Sequence, residues 1–166
     1  HLKVVEFRGN VQTRLKKLND GVAACTFLAM AGLNRLGQSQ VARAAIEPEE
    51  MLPAVAQGAI GIERREGDTR VTDMLAAIHD HPTGERLAAE RAFLATLDGS
   101  CEAPIAGLAE VTTGALRLRG EILRPDGSES LKDDATAPVE DGAKLGADMA
   151  RKLLGQAGPG FFDWRT

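Results

Sequence analysis

The segment Arg8-Gly-Asn-Val-Gln-Thr-Arg14 joins an apolar run to an amphipathic stripe, and this junction constrains the fold more than any other stretch of the chain. Leu2 to Phe7 is short, apolar and partly β-branched, which predicts a strand. Gly9-Asn10 breaks it. Val11, Leu15 and Leu18 then recur at i, i+4 and i+7, which predicts a helix with Asn10 as N-cap and Gly21 as terminator. A second strand is expected over Ala24 to Leu28. Together these make a β-α-β piece of an α/β layer, in which ligands sit off the carboxyl ends of parallel strands.

The rest of the chain reads as follows. A short helix is expected over Ala31 to Leu36, stopping at Gly37, and Ile46 to Met51 is an acidic, proline-containing connector. Val55 to Glu63 is apolar with small-residue interruptions, the pattern of a strand returning to a sheet through a close-packed passage. Val71, Met74, Leu75 and Ile78 predict a helix from Asp68 to Ile78, closed by His79-Asp-His-Pro82, with a domain boundary near residue 80. A further helix is expected over Glu85 to Leu97, after which Asp98-Gly-Ser100 leads to Cys101 on a loop. Leu116, Leu118 and Ile122 alternate with Arg117, Arg119 and Glu121, the period-two signature of a sheet with one wet face, and Thr113-Gly114 and Pro125-Asp-Gly127 are its turns. A last helix is predicted over Asp141 to Leu154 with Met149, Ala150, Leu153 and Leu154 inward. The C-terminal part is thus a small α+β domain of antiparallel sheet with helices.

At 166 residues, 43% hydrophobic and 27% charged, the chain is long enough for a sizeable core. A net charge of -4 and a pI near 5.4 argue against a nucleic-acid partner, whose affinity comes from a concentrated basic surface. No apolar stretch reaches the roughly 18 to 20 residues that span a bilayer, and the start at His1 has no signal-peptide pattern. A cytoplasmic location without a membrane partner is expected. Opening directly in a strand pattern, the chain reads as a fragment.

Four basic or polar side chains and one thiol are candidates for chemistry. Arg8, Arg14 and Arg35 could all face one cleft, where planar guanidinium forks suit carboxylates. Three solvated surface arginines would read the same, and the arginines alone do not separate carboxylate from phosphate. Gln57-Gly58 either brings backbone close to a ligand or is a packing-driven turn. Cys101 follows a helix C-terminus, whose partial negative charge disfavours a thiolate, so the site suits a single covalent attachment better than redox work. Cys25, within an apolar pattern, is expected in the core. The two cysteines lack C-x-x-C spacing, and His79 and His81 without further ligands do not define a metal site.

Arg8-Gly-Asn-Val-Gln-Thr-Arg14, Leu28-Ala-Met-Ala-Gly-Leu-Asn-Arg-Leu-Gly37, Leu52-Pro-Ala-Val-Ala-Gln-Gly-Ala-Ile-Gly-Ile-Glu63, Ala89-Glu-Arg-Ala92 and Leu97-Asp-Gly-Ser-Cys-Glu-Ala-Pro-Ile105 together resemble the porphobilinogen deaminase (hydroxymethylbilane synthase) family, in this order and over nearly the whole chain. The sequence departs from the family at Val22-Ala-Ala-Cys25 and at Ala56, where glycine is frequent. The resemblance implies a transferase of haem and porphyrin biosynthesis that condenses four porphobilinogen molecules into hydroxymethylbilane with release of ammonia. It implies a dipyrromethane cofactor attached at Cys101 and bound by Arg8, Arg14, Arg35 and Gln57. It implies the layout as well: residues 1–54 as the later part of a periplasmic-binding-like α/β domain, 55–80 as a crossover strand and helix belonging to the first α/β domain, and 81–166 as the cofactor-attachment domain. The catalytic aspartate would lie in a missing N-terminal half, so the fragment alone is expected to be inactive. A noncatalytic carboxylate-binding module is the alternative, and a remnant with unpaired strand edges that associates with another chain is a third possibility.

Overall fold

The computed structural model describes residues 2–99 and 103–162 of the chain, which divides into two compact units, residues 1–46 and 47–166. The first unit is built on helix α1, Val11–Asn19, and helix α2, Met30–Arg35. Asn10 caps α1 as expected, its side-chain oxygen accepting from the Thr13 amide at 2.9 Å. Gly9 stands at φ 136°, and a Cβ there would lie 2.7 Å from the Thr13 methyl carbon, so the junction requires glycine. Both helices end on left-handed glycines, Gly21 and Gly37. In each the next amide reaches back to the carbonyl five residues earlier, Val22 to Lys17 at 3.0 Å and Gln38 to Leu33 at 2.8 Å.

The expected strands are corrected. Leu2 to Phe7, Ala24 to Leu28 and Val55 to Glu63 include no β-strand among the described residues; the third segment is preceded by a single bridge, Ala54 to Ala106. A strand exists only through its hydrogen-bonded neighbour, and here the apolar side chains that signalled strands face outward: Val4 is 93% and Ile60 83% exposed. Cys25 is likewise exposed rather than in the core, because the run it belongs to is not packed into a sheet.

In the second unit, helix α3 spans Thr69–Ala76 and is capped by Asp68. Helix α4, His81–Thr96, starts four residues before the expected Glu85. The reason is chemical: Pro82 falls in the first turn, where an amide donor is not needed, and Asp80 caps the helix by accepting from the Thr83 amide at 2.8 Å. That bonding, first through the Thr83 side chain and then its backbone, holds the Asp80 carboxyl below the usual aspartate range.

Strands β1 (Ile105–Thr112), β2 (Ala115–Leu123) and β3 (Ser130–Pro138) form an antiparallel sheet in chain order. Thr113 and Gly114, both at positive φ, make the two-residue turn between β1 and β2. Helix α5, Gly142–Gln156, completes the unit. Leu116, Leu118 and Ile122 of β2 are buried with Phe93 and Leu97 of the α4 region and Met149 and Leu153 of α5, so one sheet face and two helices share one core. At Gly146 of α5 an added Cβ would lie 2.1 Å from the Ala89 carbonyl oxygen, which sets how closely α5 approaches α4. The architecture is therefore mixed α and β, with an antiparallel sheet.

Candidate functional site

The start of α1 holds two cations, Arg14 and Lys17, with backbone carbonyls. Arg14 donates from Nε to the Gly9 carbonyl at 3.0 Å and from Nη1 to the Phe27 carbonyl at 3.3 Å. Lys17 Nζ donates to the Arg8 carbonyl at 2.8 Å. Carbonyls fix a guanidinium in place without neutralising it, so the full charge of Arg14 and its remaining N–H donors stay available to an anion. The neighbouring N-terminus of α1 adds to the same field.

The other expected site residues are placed less uniformly. Arg8 directs its guanidinium away, pairing with Glu6 at 2.6 Å on open surface. Arg35 occupies the last turn of α2, which lies close to α1: a Cβ at Gly32 would sit 3.9 Å from Val11. Gln57 is in the second unit and exposed, and its side-chain oxygen accepts from the Ala54 amide at 3.2 Å, bracing its own turn. Cys101 lies outside the described residues. Arg14 thus stands at the start of α1 with α2 beside it, while the Arg8 guanidinium is taken up by Glu6.

Sequence reasoning missed buried charge at two places. The alternation on β2 predicted a wet outer face, yet Arg119 and Glu121 on that face are buried. Arg119 donates to Glu49 at 2.9 Å and to Glu110 at 2.8 Å. Backbone bonding first, then Arg119, holds the Glu49 carboxyl below its usual range. A cavity of about 430 Å3 opens here, lined by Glu49, Glu50, Glu121, Asp133 and Asp134 against Arg119 and Lys132. An acidic excess with its arginine already paired repels carboxylates, so this cavity is not where an acidic ligand would bind.

The second is Glu90, 6% exposed on α4, which accepts from the Ala56 amide at 2.7 Å and the Ala109 amide at 2.8 Å. A signal was present: Glu90 falls three residues after Leu87 and four before Leu94, a charge set within the apolar stripe.

A helix start carrying a backbone-braced arginine is an arrangement whose charge suits an anion, and the second unit is mixed α and β. Residues 1–73 match the family model described as porphobilinogen deaminase, dipyromethane cofactor binding domain, and residues 85–155 match that of porphobilinogen deaminase, C-terminal domain. The chain is 65% identical over 163 residues to a porphobilinogen deaminase of Paracoccus denitrificans (strain Pd 1222), covering 98% of this chain and 52% of that protein. It is 50% identical over 161 residues to a porphobilinogen deaminase of Nitrobacter hamburgensis (strain DSM 10229 / NCIMB 13809 / X14), covering 97% of this chain and 51% of the relative. The chain belongs to the porphobilinogen deaminase family, and it spans about half the length of the curated relatives it matches. Among the described residues no helix is long and apolar enough to cross a membrane.

The donor set suits the group named in the first family description. A dipyrromethane carries carboxylate arms, and Arg14 offers charge and free donors already fixed in direction.

Proposed function

We propose that this chain forms about half of a cytoplasmic hydroxymethylbilane synthase, a transferase of tetrapyrrole biosynthesis that joins four porphobilinogen molecules head to tail with release of ammonia. The observation that carries the reading is the match of two family domains, in order, over most of the chain. A dipyrromethane attached at Cys101 would supply the pyrrole terminus on which the product is built.

The roles of this chain's own residues follow from their chemistry. Arg14 donates charge-assisted hydrogen bonds to carboxylates and, being braced, loses little freedom in doing so. Arg8 exchanges Glu6 for a ligand carboxylate, a swap of one exposed ion pair for another. Arg35 holds a further carboxylate, and Gln57 turns its amide from its own loop to the ligand. The aspartate to which family catalysis is assigned has no counterpart in these residues, so the isolated chain does not turn over.

The proposed layout assigns residues 1–54 to the later part of a periplasmic-binding-like α/β domain, 55–80 to a crossover strand and helix belonging to the first α/β domain, and 81–166 to the cofactor-attachment domain. The outward-facing apolar segments would then pair with sheet contributed by the N-terminal half, the partner this reading requires. The test is bilane formation from porphobilinogen by the full-length protein, with peptide mass mapping of Cys101. A two-pyrrole adduct on Cys101 together with turnover, both abolished by Cys101→Ser, is the expected result. An unmodified thiol and no turnover would replace the enzyme by a noncatalytic carboxylate binder.

A further inference from the structure

β1 is an edge strand, and its outward amides are met by an unusual pair of partners. The Gly107 amide donates to the Pro53 carbonyl at 3.0 Å, and the next outward amide, Ala109, donates to Glu90 Oε1 at 2.8 Å. The other oxygen of Glu90 accepts from Ala56, 2.7 Å away. One buried carboxylate therefore spans helix α4, the edge of β1 and the turn over residues 54–57. Ala56 stands at φ 61°, a left-handed conformation that alanine adopts only when held there. The same turn carries Gln57, whose own amide donates to the Ala54 carbonyl at 3.1 Å. In sequence, α4 and β1 are the elements that flank Cys101.

We infer that Glu90 is a positioning residue: it clamps the Ala56-Gln57 turn onto α4 and β1, and so fixes Gln57 relative to the elements flanking Cys101. Two features separate this from simple helix or edge stabilisation. The carboxylate uses both oxygens as acceptors, so glutamine, isosteric but with a donor at one end, cannot replace it. Moreover, one of its two partners is a strained turn residue rather than regular structure. The inference deepens the transferase reading and rests on it, since Gln57 matters only if that reading holds.

The experiment is a cycle in the full-length protein of Glu90→Gln, Ala56→Gly and the double variant. It measures kcat and KM for porphobilinogen, amide exchange by mass spectrometry, and the thermal midpoint. Glu90→Gln is expected to lower kcat at least tenfold with KM within about twofold. Exchange over residues 54–58 should rise at least tenfold, while β2 and α5 keep their protection. Ala56→Gly, which removes the left-handed penalty, should restore part of the lost kcat in the double variant. If Glu90→Gln fails to fold, Glu90→Asp keeps the charge but is too short to span both amides, and it should show the same signature. Retention of kcat within twofold overturns the inference, as does a loss accompanied by general deprotection and not relieved by Ala56→Gly. A wild-type protein without turnover overturns the transferase reading instead.

Discussion

Arg119 Nη2 lies 2.8 Å from Glu110 Oε2 on the sheet face turned away from α4 and α5, and the arginine side chain is only 10% exposed. Its second arm reaches Glu49, so a residue of the connector before Leu52 is tied to the middle of β2. Arg119→Ala strands Glu110 and releases that connector. We expect the chain to lose about 2 kcal/mol of stability, the scale of a hydrogen bond to a charged partner, measured by urea unfolding followed by far-ultraviolet circular dichroism.

Gly146→Ala should be costlier than an ordinary surface change on a helix. The new methyl would meet backbone, the Ala89 carbonyl oxygen at 2.1 Å, which cannot move aside as a side-chain tip can. A loss of about 2 to 3 kcal/mol is expected from overpacking. The same substitution at Gly155, where a Cβ meets nothing within 4 Å, is the control and should change the unfolding midpoint little.

Acid should destabilise the second unit through its aspartates. Asp134 is held below its ordinary range by its hydrogen bond to Arg117, Asp148 by Lys144, and Asp80 and Asp126 by their bonds to Thr83 and Ser128. A depressed folded pKa means the unfolded chain binds more protons near the ordinary value of about 3.9. The stabilisation is therefore present above that pH and lost as pH falls through the lower folded values. Calorimetry should show a midpoint that is flat from about pH 7 to 5 and falls below about 4. Asp80→Asn, which can still cap α4 but does not titrate, should make that fall shallower.

Cys25 should behave as an accessible thiol. Being exposed, it is expected to react with iodoacetamide without denaturant, giving a carbamidomethyl mass increment on the peptide that contains it. Protection until denaturant is added would contradict its placement.

Where local chemistry alone decides an element, the sequence was a sufficient guide. Asn10, Gly21 and Gly37 bound their helices through contacts made within a few residues, and Leu116, Leu118 and Ile122 mark the buried face of β2. Where the outcome depends on a distant partner, it was not. The apolar runs at Leu2 and Val55 describe surfaces able to join a sheet, but joining requires neighbouring strands. Pro82 was read as an end because proline stops a helix from behind, yet it equally opens one from in front. Of the candidate site, the Asn10 cap that opens the helix carrying Arg14 was legible from the local sequence. The partners of Glu90 and the burial of Arg119 were not, because a charge buries only when its partners come from elsewhere in the chain, here Ala56 and Ala109 for one and Glu49 and Glu110 for the other.

The strand order β1-β2-β3 follows the chain, so each ladder can zip outward from its own hairpin turn before any remote segment arrives. Such nearby pairings carry a small loop-closure cost and favour rapid assembly. The seating of α5 against α4 at Gly146, by contrast, joins helices that the whole β-meander separates in the chain, and so closes a longer loop.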